Sequence, residues 1–215
     1  MLRTLRHYLE LVRFSHTIFA LPFALLSAVM AWQLTPFRWR GLLCILLCMV
    51  TARSFAMAGN RLADRNLDAN NPRTAGRHLP ARILSTGSVF TFAVTCGVAF
   101  VFATLLFAPN RQPMYLSGPV LLFLGGYSYA KRFTALAHFW LGAALALSPV
   151  AAWIAIRGEA VAANPADLLP ALVLGGAVLT WVAGFDVIYA CQDYEADTRA
   201  KLHSVPVAIG VTNAL

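Results

Sequence analysis

The hydrophobic positions of this chain run in long blocks, not in the alternating or one-faced patterns of strands and surface helices. Apolar stretches lie at roughly residues 14–34, 41–60, 84–108, 114–130, 134–156 and 167–190. Each is close to the ~20 residues that cross a bilayer as a helix. They predict an all-α, polytopic bundle with six visible spans. The first block is not a cleaved signal peptide. A signal's apolar core is about 7–15 residues and ends at a small-residue cleavage site, whereas this run is longer and further spans follow it.

Composition strengthens that picture. Hydrophobic residues make up 59% and charged residues 12%, against about 25% charged in a soluble domain. The net charge is +8, and its placement matters more than its size. Arg3, Arg6 and Arg13 precede the first span. Arg61, Arg65, Arg73, Arg77 and Arg82 lie between the second and third. Lys131 and Arg132 follow the fourth, and Arg199 and Lys201 follow the sixth. The other loops hold Arg38, Arg40, Arg111 and Arg157. The positive-inside rule makes the rich loops cytoplasmic and puts the N-terminus inside. Topology thus accounts for most of the basic charge, and no nucleic-acid partner is implied.

The four cysteines form no disulfide framework. Cys44, Cys48 and Cys96 lie in apolar spans, and Cys191 sits at the inner end of the sixth. Cys44 and Cys48 share a helix face, but two thiols without histidine or carboxylate company make a poor metal site. Packing is their expected role. His16, His78, His138 and His203 show no metal-ligand spacing, His7 lies in an amphipathic N-terminal stretch, and none is assigned a role.

The acids are concentrated. Six of nine fall in "NRLADRNLD" (60–68) and "DVIYACQDYEAD" (186–197), each at the inner end of an even-numbered span. Asn60, Asp64 and Asp68 are four apart, as are Tyr189, Asp193 and Asp197. Four residues is about one helical turn, so each set projects from one helix face. The bland alternative is a solvated helix end, but two such ladders on one side of the membrane argue against it. Stacked carboxylates repel unless positive charge lies between them. Oxygen-only ligands point to a hard cation, Mg²⁺ before zinc, and Mg²⁺ commonly shares its site with phosphate. The acids do not alternate as in an EF-hand.

Arg61, Arg65, Arg73 and Arg77 surround the first ladder, and Lys131 and Arg132 close the fourth span on the same side. Carboxylates, Mg²⁺ and guanidinium groups together suit a diphosphate. Arg53 lies inside the second span, in "TARSFAMAGN", seven residues before Asn60 and on its face. Asp186 lies seven before Asp193. Charges within spans usually face the bundle interior, so one polar cavity is expected to hold both. A structural Arg53–Asp186 salt bridge is the competing reading.

The two acidic stretches resemble the UbiA superfamily of membrane prenyltransferases, whose motifs have the forms NDxxDxxxD and DxxxD. "NPRTAGRHLP", "GYSYAKRF" and "KLHSVP" match as well. "FSHTIFALPFALLSAVMAW" resembles the first span of a bacterial branch that is 4-hydroxybenzoate polyprenyltransferase-like and includes members of the futalosine route to menaquinone. The quinone branch fits better than the haem or chlorophyll branches.

The resemblance implies a Mg²⁺-dependent aromatic polyprenyltransferase of ubiquinone or menaquinone biosynthesis, in the bacterial inner membrane, with its aspartate motifs cytoplasmic. Polyprenyl diphosphate and an aromatic acid are the implied substrates, and the lipid bilayer is the surroundings. Asn60, Asp64, Asp68, Asp193 and Asp197 would hold metal. Asp64, Asp68, Asp186, Asp193 and Asp197 form the implied catalytic set. Asn60, Arg53, Arg73, Arg77, Lys131, Arg132, Tyr189 and Lys201 form the substrate-binding set, Arg77 and Lys131 resembling diphosphate-binding positions. Tyr127, Tyr129 and Tyr189 are candidates to face an allylic cation, with interfacial anchoring as their alternative. Asp186 would position the acceptor or take its proton. Arg53 or Arg13 would meet the acceptor's carboxylate.

Two departures stand out. Arg61 replaces the usual aspartate after Asn60, which bears on the number of metals. The family fold has nine helices, so residues 1–215 are expected to be a single membrane domain lacking its last three. A transporter or channel is a rival, but its broken helices belong near the midplane, not at one interface. A non-catalytic scaffold of a quinone-synthesis complex is the other.

Overall fold

The computed structural model describes residues 2–12 and 20–215, and every described regular element is helical. A short amphipathic helix α1 (Leu2–Leu11) precedes α2 (Leu21–Trp32), α3 (Trp39–Asn70), α4 (Thr86–Leu105), α5 (Gln112–Ala130), α6 (Ala137–Ala163) and α7 (Leu169–Ala190). Three short helices follow: α8 (Tyr194–Arg199), α9 (Val205–Ile209) and α10 (Val211–Ala214). Helices α2 to α7 fall where the six apolar blocks predicted them. Four are long and apolar enough to cross a membrane by length and composition: α3, α4, α6, and α7 with its continuation to Arg199. Six such spans were expected. Helix α2 is described for only 12 residues, and α5 has 19 residues, among them Gln112, Tyr115 and Ser117.

Small side chains set the packing. Ala24, Ala28 and Ala31 of α2 are fully buried, against Ala152, Ala155 and Trp153 of α6. Helices α6 and α7 approach so closely at Gly142 that a Cβ there would lie 2.5 Å from the Leu179 carbonyl oxygen. Lipid tails are as apolar as leucine, so contact between membrane helices relies on such close fits and on polar links. Ser27 Oγ donates to the Pro149 carbonyl at 2.6 Å, joining α2 to α6. At the far end of the bundle Asp167 accepts from Trp153 Nε1 at 3.0 Å and from Arg157 Nε at 2.9 Å. Arg157 has non-helical backbone angles and marks a kink in α6.

Helix α3 positions the site. Its 32 residues span about 48 Å at ~1.5 Å per residue, more than the ~30 Å hydrocarbon core. The apolar block predicted an end near residue 60, but the helix continues to Asn70. Its last three turns therefore carry Asn60, Asp64 and Asp68 past the apolar layer.

The second acidic stretch is not one helix. Tyr189 ends in α7, Asp193 lies in a 3₁₀ turn (Cys191–Asp193), and Asp197 belongs to α8. The tighter turn interrupts the α-helical register where a continuous ladder was expected.

Candidate functional site

A cavity of about 550 Å³ opens among the ends of α3, α5, α6 and α7 and the segments that follow α3 and α7. On its α3 side Asp64 is 3% exposed and Asp68 6%. Buried carboxylates need partners, and each has a base. Lys131 Nζ donates to Asp64 Oδ2 at 2.7 Å, and Asn60 Nδ2 donates to the same oxygen at 3.2 Å. Arg77 Nη1 donates to Asp68 Oδ1 at 2.7 Å. The second oxygens, Asp64 Oδ1 and Asp68 Oδ2, are buried without a hydrogen-bond partner. Arg132 Nη2 stands 3.8 Å from Asp64 Oδ1, too far for a hydrogen bond.

The loop after α3 brings the two acidic stretches together. It folds back through Thr74, whose hydroxyl donates to the Asp68 carbonyl at 3.1 Å. Arg73 then reaches Asp193, with Nε 2.8 Å from Oδ1 and Nη2 on Oδ2. Asn71 Nδ2 donates to the same Oδ1 at 2.9 Å. The Asp193 hydrogen bond pushes the Arg73 guanidinium above its ordinary pKa. Arg73 also donates to the Tyr189 hydroxyl at 3.2 Å and lies 5.4 Å from the centre of that ring. One loop thus holds Asp68 through Arg77 and Asp193 through Arg73. Asp197 lines the cavity from α8.

Deeper in, Arg53 lines the same cavity, and its Nε is buried without a hydrogen-bond partner. Asp186 lines it from α7, but its partner is not Arg53. His138 Nδ1 lies 2.7 Å from Asp186 Oδ2. The Val205 amide donates to His138 Nε2 at 3.2 Å. An amide can only donate, so Nε2 must accept and Nδ1 carries the proton toward Asp186. His138 is 5% exposed. The competing Arg53–Asp186 pairing gives way to this contact, and sequence offered no sign of it because the two residues are 48 apart.

Asn60, Arg53, Asp64, Asp68, Arg73, Arg77, Tyr127, Lys131, Asp186, Tyr189, Asp193 and Asp197 all line the cavity. Arg132, Tyr129 and Lys201 do not. Arg132 stacks over the exposed Tyr129 ring at 5.0 Å, outside the lining. Lys201 is exposed and occupies a positive-φ turn position. Arg13 lies outside the described residues.

The charges of the lining balance. Arg53, Arg61, Arg73, Arg77 and Lys131 face Asp64, Asp68, Asp186, Asp193 and Asp197. Bases therefore pair with Asp64, Asp68 and Asp193, where the spacing alone had suggested divalent cations. A multiply negative ligand would upset this balance. The two unpartnered carboxylate oxygens, Asp64 Oδ1 and Asp68 Oδ2, suit a hard dication that restores it. Trp181, Phe185, Leu141 and Leu145 make the apolar part of the wall.

Comparison with known proteins bears on the family and the fold. The sequence profile of the UbiA prenyltransferase family matches residues 20–215. The 4-hydroxybenzoate octaprenyltransferase of Nitrosospira multiformis is 32% identical over 169 residues, covering 79% of this chain and 55% of that protein. The Coxiella burnetii protein of the same name is 31% identical over 207 residues, covering 95% and 69%. The chain spans about half the length of the first two curated relatives it matches, at 55% and 51%. Among solved structures, a UbiA homolog from Aeropyrum pernix superposes with a TM-score of 0.85 at 31% identity, over 93% of this chain and 72% of that one. A UbiA homolog from Archaeoglobus fulgidus, bound to DMAPP and Mg²⁺, shares the fold with a TM-score of 0.68 at 19% identity, over 96% and 70%.

Proposed function

This chain belongs to the UbiA prenyltransferase family, and we propose that it transfers a polyprenyl group from polyprenyl diphosphate to an aromatic acid, 4-hydroxybenzoate or a related acceptor of ubiquinone or menaquinone synthesis. The observation that carries the reading is the pairing of Asp64, Asp68 and Asp193 with Lys131, Arg77 and Arg73 around one cavity with an apolar depth. The relatives' names and the Mg²⁺ and DMAPP of a structural neighbour support it.

Arg73, Arg77 and Lys131 are held by carboxylates. A diphosphate entering the cavity offers them oxygens of higher charge, and charge-assisted hydrogen bonds form readily to such groups. Asn60, Asp64, Asp68, Asp193 and Asp197 would hold Mg²⁺. Bound there, Mg²⁺ supplies Lewis-acid stabilisation of the departing diphosphate. The bases share that stabilisation by facing the charge that develops on the leaving group.

The prenyl tail lies along Leu141, Leu145, Trp181 and Phe185, which keep water from the allylic cation. Tyr127 and Tyr189, which line the cavity, are the candidates to stabilise it. Arg53, with a buried N–H to spare, meets the acceptor's carboxylate. The aromatic ring attacks the allylic carbon and then loses its proton toward Asp186, which His138 holds in place. The aspartate sets face the cytoplasm in this account, in keeping with the basic loops beside them.

The test is prenyl transfer in membranes. Polyprenyl diphosphate, Mg²⁺ and either 4-hydroxybenzoate or a naphthoate-type acceptor are supplied in parallel, with products read by mass spectrometry. One acceptor should be prenylated. No product with either acceptor would overturn the assigned reaction.

A further inference from the structure

The donor chemistry changes sharply on the other side of the loop that carries Arg73 and Arg77. Helix α1 is docked there. Tyr8 stacks on Phe92 with ring centres 4.7 Å apart, and Leu11 and Val12 are buried with Ala58, Leu84, Val89 and Ala93. His7 and Glu10, three residues apart, share a face of α1. That face meets His78, the residue after Arg77. We propose that His7, Glu10 and His78 form a binding site for a transition-metal dication of the zinc class, which fastens α1 to the loop beside the aspartate cavity.

Three observations support it. First, His7 Nδ1, His78 Nε2 and a carboxylate oxygen of Glu10 lie within 4.8 Å of one another. His78 Nε2 is 3.5 Å and His7 Nδ1 3.8 Å from Glu10 Oε2. A tetrahedral zinc with bonds of about 2.0–2.1 Å separates neighbouring ligands by roughly 3.3 Å, so small side-chain shifts close the site. Second, His7 Nδ1 is buried without a hydrogen-bond partner. Third, the carboxylate is already oriented. Arg6 Nε donates to Glu10 Oε1 at 2.7 Å, which leaves Oε2 toward the imidazoles. Ligating carboxylates are commonly held by such an outer hydrogen bond.

Two imidazoles and one carboxylate select a zinc-class ion over Mg²⁺, the reverse of the carboxylate set formed by Asp64, Asp68, Asp193 and Asp197. Three protein ligands leave a fourth position for water. The carbonyl of His78 also accepts from the Ile83 and Leu84 amides, so an ion held at His78 steadies the loop that positions Arg77. This inference does not depend on the prenyl-transfer reading, and its test reads metal binding alone.

The full chain, purified in detergent without a histidine tag and stripped by chelator, is titrated with Zn²⁺ in excess Mg²⁺. One zinc per chain is expected, with a rise in Tm. Co²⁺ should give visible ligand-field bands in its place. His7→Gln, Glu10→Gln and His78→Gln should each weaken binding at least tenfold and abolish the Tm rise, with helical circular dichroism kept. Asp64→Ala with Asp193→Ala should leave zinc binding intact. Absence of zinc binding, or equal binding by the parent and all three Gln variants, would mean that Glu10 and the histidines are only an ion-pair cluster.

Discussion

Arg73 and Asp193 are 120 residues apart in the chain, yet they meet fork to fork, with Arg73 Nε 2.8 Å from Asp193 Oδ1 and Nη2 on Oδ2. This contact ties the loop after α3 to the turn after α7, so the two acidic stretches face one space. Arg73→Ala leaves Asp193 with Asn71 as its hydrogen-bond donor and should cost about 2 kcal/mol of diphosphate binding, a ~30-fold rise in KM. Arg73→Lys keeps charge but loses the fork, and should fall between. Steady-state kinetics with prenyl diphosphate varied checks both.

Lys131 and Asp64 test whether the buried pairs serve stability or ligand binding. Lys131→Met leaves a buried carboxylate without its cation and should destabilise the protein by about 2 kcal/mol. Adding Asp64→Asn should restore much of that loss, because the orphaned charge is gone. Activity should stay lost in both. Thermal unfolding beside product assays separates the two effects.

His138 is predicted to position Asp186. His138→Phe removes the donor to Asp186 and the acceptor for the Val205 amide, each worth about 1 kcal/mol. We expect kcat to fall about tenfold or more while KM for prenyl diphosphate changes little. His138→Gln can both donate and accept, and should recover part of the loss. A fall in both variants with KM raised equally would point to collapse of the cavity instead.

Removing divalent metal should abolish transfer, and Mg²⁺ should restore it. Without it, a diphosphate beside Asp64 and Asp68 brings more negative charge than the balanced bases of the lining offset. Activity measured against free Mg²⁺ after chelation gives the dependence. Activity that persists with chelator would exclude a metal role for these residues.

The bundle was legible because apolar blocks of membrane length admit few structures other than helices. The block ending near residue 60 understated α3, since polarity marks the edge of the apolar layer and not the end of a helix. The regular spacing of Asn60, Asp64 and Asp68 did show that the helix goes on. The same spacing misled at Tyr189, Asp193 and Asp197, where a 3₁₀ turn interrupts the helix. The sequence placed the bases on the side of the carboxylates but did not show which base meets which acid, because partners such as Lys131, 67 residues from Asp64, are not visible in local pattern. His138 with Asp186 and His7 with His78 went unread for the same reason. Both pairs exist only once helices dock.

The most direct test of the account is whether the two acidic stretches act on one diphosphate. Mg²⁺-dependent binding of an unreactive prenyl diphosphate analogue is measured for the parent, Asp64→Ala, Asp193→Ala and the double variant. One shared site predicts a large loss in each single variant and little further loss in the double, since coupled residues are not additive. Parent-like affinity in either single variant, or losses that simply add, would contradict it.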